Sequence, residues 1–258
     1  MKLSIVIPVY NEVRLLPLIL NKVVLSLPQV EKEIILVDDC SRDGTRDWIM
    51  ERVGDRVRLA SPGDDGVVLI GDEASLRGSG NLARTTIAAL YHDMNQGKGA
   101  ALRTGLQTAG GDVIVIQDAD LEYDPADWSR FWPLFAERQA DVVYGSRFAG
   151  EPHRCLYFHH FVANKLISVL FSILYNQILS DLEVCYKMFT REVLKLLTLR
   201  SNRFGFEIEF SANVARARNL RIYELGISYY GRTYQEGKKI NWKDGIKALG
   251  YVFWYRFT

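Results

Sequence analysis

Three runs of uninterrupted apolar, largely β-branched residues constrain this chain most, and each ends on polar or acidic residues. They are Leu3–Tyr10 (LSIVIPVY) before Asn11-Glu12, Glu33–Asp39 (EIILVDD) and Asp112–Asp120 (DVIVIQDAD). A strand with one wet face alternates apolar and polar residues, whereas a continuous Ile/Val/Leu run is buried on both faces, as in a parallel sheet. Both faces must then be covered by helices. The intervening sequence supplies them: a helical pattern from about Asn11 to Ser26, and the turn Cys40–Thr45 (CSRDGT) leading into a helix through about Val53, with Thr45 as its cap. Strand, helix, strand in succession makes a right-handed βαβ start, and the chain is predicted to be α/β with a mostly parallel sheet flanked by helices.

Further elements extend that frame. A strand is expected at Thr86–Tyr91, then the loop Asn95–Gly99 (NQGKG), a helix over Ala100–Thr108, a helix near Pro125–Gln139 and a strand at Asp141–Gly145. The C-terminal part is less regular. It holds an apolar helix (about Phe161–Leu179, at most Leu156–Ser180), a mixed segment CYKMFTREVLKLL, a helix near Glu207–Arg218, a strand near Arg221–Ser228, the basic loop GRTYQEGKK and an aromatic tail. Residues from about Gly54 to Ala83, with Gly, Asp and Ser concentrated over Ser61–Asn81, read as an insertion, a surface excursion before a lid.

Composition narrows the function classes. The 258 residues are 48% hydrophobic and 24% charged, which excludes a disordered or low-complexity chain. With 32 basic and 31 acidic residues the formal charge is +1, so nucleic acid is not an expected partner, and an anionic ligand must be met by a local basic cluster. Cys40, Cys155 and Cys185 are odd in number and widely spaced; they form neither a disulfide framework nor a CxxC site, and a reducing compartment is expected. Leu3–Tyr10 is too short for a signal-peptide core, and Leu166–Ser180 falls short of the roughly 20 apolar residues that span a bilayer.

In an open α/β sheet, ligands bind outside the carboxyl ends of the strands. Three such ends are polar here: Asn11-Glu12, Asp38-Asp39 and Asp118-Ala119-Asp120. Two carboxylates at i and i+2 leaving a buried strand can reach one hard cation, and Mg²⁺ takes one or two carboxylates together with substrate phosphates. Glu122 lies two residues further and either completes that set or faces solvent. One of Asp38 and Asp39 can accept from a base or a ribose hydroxyl, and at least one caps its own turn. Gly97-Lys98-Gly99 opens a helix where two glycines permit close approach of an anion and Lys98 adds a charge, without the spacing of a P-loop.

SIVIPVYNE (Ser4–Glu12), VDDCSRDGT (Val37–Thr45), NQGKGAALRTG (Asn95–Gly105), DVIVIQDADLEYDP (Asp112–Pro125) and VVYGSRF (Val142–Phe148) resemble, in this order and spacing, family-2 glycosyltransferases. The likeness is nearest to dolichyl-phosphate mannose synthases and polyprenyl-phosphate glycosyltransferases, and runs on through SDLEVCYKMFTREVL, NRFGFEIEF and YYGRTYQEGKKI. It implies a GT-A fold in a single domain over 1–258, with a nucleotide-sugar part (1–150) interrupted at about 54–83 and an acceptor-side part of helices and strands (151–258). It also implies inversion at the anomeric carbon, Mg²⁺ or Mn²⁺ as cofactor, and a hexose moved from UDP-glucose or GDP-mannose to a polyprenyl phosphate. Carried over residue by residue, Pro8, Tyr10, Glu12, Asp38, Asp39, Lys98, Asp118, Ala119, Arg232 and Lys238 fall on the nucleotide-sugar side. Asp118, Asp120 and Glu122 fall on the metal, and Arg147 and Asn164 on the acceptor, with Asp120, Arg147 and Asp181 as the catalytic set. Arg232 and Lys238 match a loop patterned RxxGxSK in the family; here it reads RTYQEGK, with Gln235 for the Gly and Gly237 for the Ser.

The acceptor decides whether a base is needed. A phosphate monoester is mostly dianionic at pH 7 and needs positioning, whereas a sugar hydroxyl needs a general base, for which Asp181 and Glu183 are the candidates. Arg147 reads as an acceptor-phosphate contact or a structural salt bridge. Asn164, Ser168, Ser172, Asn176 and Ser180 recur every four residues in an otherwise apolar helix, which fits either a core or homodimer interface or a helix lying on the cytoplasmic membrane face. His159 and His160 read as packing or headgroup contacts. The alternatives are a soluble transferase to a sugar hydroxyl and a non-catalytic nucleotide-sugar-binding scaffold.

Overall fold

A computed structural model describes residues 1–62, 68–71, 83–154, 157–203, 205–233, 235 and 242–257. The three buried runs lie side by side: β1 (Lys2–Val9) pairs in parallel with β2 (Glu31–Asp38) on one side and with β6 (Val113–Ile116) on the other. β5 (Thr85–Tyr91) adds a fourth parallel strand beside β2. Chain direction across the sheet therefore reverses at β1, and the crevice between the ends of β1 and β6 is where such sheets bind ligands. Ile5, Ile7, Ile34, Leu36, Ile114 and Ile116 are fully buried, as continuous apolar runs require.

The whole sheet has nine strands in the order β4-β3-β5-β2-β1-β6-β8-β7-β9. Part of the insertion forms the antiparallel hairpin β3 (Arg58–Pro62) and β4 (Val68–Gly71) on one edge; residues 63–67 and 72–82, where a lid was considered, lie outside the described residues. The other edge is mixed. β7 (Val142–Ser146) is parallel to β9 (Ile222–Gly226), but β8 (Lys187–Thr190) enters antiparallel between β6 and β7. Its four residues are too few to show a period, so the mixed segment concealed it, together with the short α6 (Arg191–Leu196).

The helices are α1 (Leu16–Leu25), α2 (Thr45–Arg52), α3 (Lys98–Thr108), α4 (Trp128–Ala136, after a 3₁₀ turn at Pro125–Asp127), α5 (Phe158–Tyr175), α7 (Phe206–Arg216) and α8 (Trp242–Phe257). α1 starts five residues later than expected because the strand-to-helix turn is bonded to the neighbouring one. Asn11, at φ 56°, donates its N–H to Ser41 Oγ (2.9 Å), and Glu12 N–H donates to Thr45 Oγ1 (2.9 Å). α5 stops at Tyr175, short of Ser180, because Asn176 turns left-handed at φ 52°. The aromatic tail is the helix α8, packed on α5 and α7.

The end of α1 needs donors for its last carbonyls. Lys32, on β2 and 1% exposed, supplies them: its Nζ donates to the carbonyls of Val24 (2.8 Å), Ser26 (2.5 Å) and Leu27 (3.4 Å). Lys32→Met keeps the apolar stem and strips these carbonyls of their donor. We expect it to lower unfolding free energy by about 2 kcal/mol in urea titration, with an unchanged m-value.

Candidate active site

The turns after β1, β2 and β6 converge at the crevice. Asp38 is fully buried; its Oδ2 accepts from Arg46 Nε (2.6 Å) and its carboxylate from Ser41 N–H (3.3 Å). Asp39 is also buried and ties β2 to the NQGKG loop. Its Oδ1 bonds His92 Nδ1 (2.8 Å) and Gln96 N–H (2.8 Å), and its Oδ2 accepts from Gly97 N–H (2.7 Å). Both carboxylates thus have internal partners, including the turn cap expected of at least one.

The glycine pair at 97 and 99 corrects the sequence reading. Close approach does occur there, but by the chain's own segment 201–203: a Cβ on Gly97 would lie 2.4 Å from Asn202 O, and one on Gly99 2.4 Å from Ser201 O. Gly97 also takes φ +97°, which disfavours any side chain. Lys98 points to carboxylates rather than to an open anion site, with Nζ 2.9 Å from Asp118 and 3.5 Å from Glu207.

Beyond β6 the chain carries Asp118, Ala119 and Asp120 into the crevice. Asp118 also accepts from the Cys185 thiol (3.3 Å). Asp120 and Glu122 meet Arg232, which arrives from more than a hundred residues away: its guanidinium lies 2.7 Å from Asp120, 3.2 Å from Glu122 and 3.6 Å from Glu12. Burial, together with the like charges of Asp118 and Glu122, pushes the Asp120 carboxyl up to about 7 despite Arg232. Pro8 and Tyr10 line the same strand end, Pro8 partly buried and Tyr10 exposed, whereas Lys238 lies outside the described residues.

This donor set fits a hard divalent cation. Asp118, Asp120 and Glu122 offer only carboxylate oxygens, and Asp120 and Glu122 gather round a cationic group as they would round an ion. Among the described residues no three His, Cys, Asp or Glu side chains form a ready-made cage. An ion here would therefore take part of its coordination from ligand phosphates, which is how Mg²⁺ is commonly held.

Arg147 leaves the end of β7. Asp181 grips it in a fork: Arg147 Nε donates to Oδ2 (2.7 Å), NH2 to Oδ1 (2.7 Å) and its backbone N–H to Oδ2 (3.0 Å). The guanidinium carbon stands 5.5 Å from the Tyr229 ring centroid and 5.7 Å from that of Phe148. Asn164, expected on the acceptor side, is buried on α5 and donates Nδ2 to Asp181 Oδ1 (3.1 Å). Burial alone would raise the Asp181 carboxyl, but Arg147 holds it below the usual carboxylate range. The ion pair with Arg147 favours the charged form of this buried carboxylate. Glu183 has the opposite environment: burial, aided by Glu207 and Asp181 and opposed by Arg147, pushes it up to about 7.

Sequence reasoning did not pick out Tyr229, Glu224 or His92. Glu224 accepts from the backbone N–H groups of Ser180 (2.8 Å) and Asp181 (3.2 Å) and fixes the loop that presents Asp181. Glu224 and His92 lie in no matched motif, Tyr229 only opens the segment YYGRTYQEGKKI, and each acts through a partner far away in sequence.

A sequence-family profile described as Glycosyl transferase family 2 matches residues 4–70 and 67–197. The undecaprenyl-phosphate mannosyltransferase of Micrococcus luteus is 28% identical over 266 residues, covering 98% of this chain and 94% of that protein. The undecaprenyl-phosphate 4-deoxy-4-formamido-L-arabinose transferase of Proteus mirabilis is 26% identical over 239 residues; the match covers 92% of this chain and 62% of the relative. In three dimensions the chain is similar to glucosyl-3-phosphoglycerate synthase from Mycobacterium tuberculosis in complex with UDP, with a TM-score of 0.66 at 16% identity over 99% of this chain and 80% of that one. The same synthase in complex with Mn²⁺, UDP-glucose and phosphoglyceric acid gives a TM-score of 0.63. At that identity the likeness is one of fold, and the fold is the GT-A-like arrangement expected.

The Glu183 environment has a measurable sign. Its carboxyl titrates at about 7 in the folded chain and at about 4.3 when unfolded, so the folded state binds the proton more tightly and this contribution to stability falls as pH rises from about 4 to 7. Glu183→Gln removes the buried charge. We expect it to raise unfolding free energy by up to about 3.5 kcal/mol at pH 8 and to leave it unchanged at pH 4 in urea titrations.

Proposed function

The chain belongs to glycosyl transferase family 2 and is a glycosyltransferase, and from that premise we propose that it moves a hexose from a nucleotide diphosphate sugar to a polyprenyl phosphate at a membrane surface. One observation carries the acceptor side of this reading. α5 carries apolar residues on both faces: Asn164 and Ser168 are buried beside Ile167 and Phe171, and Asn164 bonds the Asp181 that grips Arg147, while Phe158, Phe161, Val162, Leu166, Val169 and Ile173 are 42–78% exposed on the opposite side. An acceptor with an anionic head and an apolar tail suits a guanidinium and an apolar face carried by one helix. The relatives named for undecaprenyl phosphate support the same acceptor class.

The reaction follows from these groups. An oxygen of the acceptor phosphate bonds to the anomeric carbon, the bond from that carbon to the nucleotide diphosphate breaks, and configuration inverts. Because a phosphate monoester is mostly dianionic at neutral pH, Arg147 positions it and no proton need be removed. Asp118, Asp120 and Glu122 would hold Mg²⁺ or Mn²⁺, whose chemistry when bound is to neutralise charge on the departing diphosphate. Arg232 meets that charge from the protein side. Glu12, Pro8 and Tyr10 at the end of β1 face the nucleotide. In this reading residues 1–150 carry the donor and residues 151–258 the acceptor, with Arg232 crossing that division.

A sugar hydroxyl as acceptor has one observation in its favour, the Glu183 carboxyl at about 7, suited to a general base. A transfer assay separates the readings. With radiolabelled UDP-glucose or GDP-mannose, Mn²⁺ and undecaprenyl phosphate, label is expected in the organic phase with wild type and to be lost on Asp120→Asn, with the unfolding transition of that variant retained. Label that stays in aqueous saccharide would overturn the lipid acceptor.

The membrane part of the proposal extends over α8, which packs on α5 and exposes Phe253, Trp254 and Phe257 at 47%, 64% and 79%. α5 is long and apolar enough to cross a membrane by length and composition, but its buried polar stripe fastens it to the protein body, so it lies along the surface. In flotation with phosphatidylglycerol vesicles, wild type is expected in the lipid fraction. Leu166→Glu combined with Trp254→Glu should leave it in the dense fraction, since each places a charge in an apolar boundary.

A further inference from the structure

Tyr229 occupies the junction between the donor and acceptor halves of the site. Its hydroxyl donates to Glu122 Oε2 at 3.2 Å, while Arg232 takes the other oxygen of the same carboxylate through its N–H (3.1 Å) and Nε (3.2 Å). The face of its ring stands 5.5 Å from the Arg147 guanidinium carbon. One side chain therefore touches a carboxylate assigned to the metal and diphosphate side and the cation assigned to the acceptor, and it belongs to neither set.

Its own position is rigidly determined. The backbone of Tyr229 is held on both sides, donating to Pro152 O (2.9 Å) and accepting from Arg154 N–H (2.8 Å), while Tyr230 N–H bonds Glu122 O (2.9 Å). The ring packs on Tyr123 (centroids 5.8 Å apart), which stacks on Tyr186 (5.2 Å), and Tyr186 OH is bonded to Gln117 (2.9 Å) just before the acidic turn. Gly231 completes the arrangement. A Cβ there would lie 2.6 Å from Tyr229 Cζ and Oη, so the ring folds back against residue 231 only because that residue has no side chain.

We propose that Tyr229 is the positioning residue that sets the donor and acceptor groups relative to one another, its hydroxyl orienting Glu122 and its ring face orienting Arg147. The hydroxyl faces Glu122 and also Arg147, whereas the ring face meets Arg147 alone, so graded variants apportion the two tasks. Phenylalanine keeps the ring and loses the hydroxyl; leucine loses both; alanine at position 231 displaces the ring while leaving Tyr229 in the sequence.

The proposal rests on the transfer reaction above, and its test is arranged so that the two can fail separately. Donor and acceptor KM are measured with undecaprenyl phosphate, UDP affinity is measured by calorimetry with Mn²⁺, and the Arg147 Nε–H resonance, assigned by its loss in Arg147→Lys, is followed by NMR. In Tyr229→Phe, donor KM and the UDP dissociation constant are expected to rise about fivefold, the scale of one hydrogen bond, with acceptor KM and the Arg147 signal changed less than in Tyr229→Leu. In Tyr229→Leu and Gly231→Ala, acceptor KM is expected to rise about fivefold or more, and the Arg147 signal to move as the ring leaves. Equal effects of Phe and Leu on both substrates, or an Arg147 signal indifferent to all three variants, would overturn the proposal. If wild type fails to use undecaprenyl phosphate, the acceptor reading falls, while UDP affinity and the Arg147 resonance still decide the role of Tyr229.

Discussion

Crowding of carboxylates at one end of a sheet is the constraint to which the rest of this structure answers. Glu12, Asp38, Asp39, Asp118, Asp120, Glu122 and Asp181 all gather there, several of them buried, where unpaired charge is costly. Each cluster is met by a cation or a set of N–H donors: Asp38 by Arg46, Asp39 by His92 and the 96–97 amides, Asp118 by Lys98, Asp120 and Glu122 by Arg232, and Asp181 by Arg147. That accommodation is structural and chemical at once. The result is an acidic crevice held together by long cationic side chains.

α5 answers a second constraint. A surface helix of a water-soluble domain buries its apolar stripe; this one buries Asn164 and Ser168 and turns Phe158, Leu166 and Ile173 outward. The polar stripe is needed inside because Asp181 requires a further donor beyond Arg147, and Leu182 N–H finds its partner in Ser168 Oγ at 3.0 Å. The inner face holds these hydrogen bonds beside the buried Ile167 and Phe171, and the remaining apolar residues lie on the outside, where α8 packs on the helix and adds exposed aromatics of its own. The resulting apolar surface adjoins the helix that backs the acceptor-side guanidinium.

Much of this was legible in the residues. The parallel core of β1, β2, β5 and β6 follows from the apolar runs, and the acidic turns from what ends those runs. The C-terminal half was less so. β8 has four residues and no measurable period, and its antiparallel insertion between β6 and β7 makes the sheet mixed. The Gly97/Gly99 pair shows how a correct physical rule can find a different object: close approach was read from the glycines, but the approaching group is the backbone of 201–203. Asp181 was a candidate base from the residues alone, and its ion pair with Arg147 was not legible there.

By itself the sequence determined the parallel core strands of the first 150 residues, though not the β3–β4 hairpin, the positions of the acidic turns, the family, and the presence of one unusually apolar helix, because hydrophobic period, turn chemistry and motif spacing are local in the chain. Only the tertiary structure decided which charge faces which: that Arg232 enters the Asp120–Glu122 turn, that Asn164 bonds the Asp181 paired with Arg147, and that Tyr229 touches both sides of the site. Those pairings join groups tens to more than a hundred residues apart. Their energies depend on distance and burial, which no local pattern records.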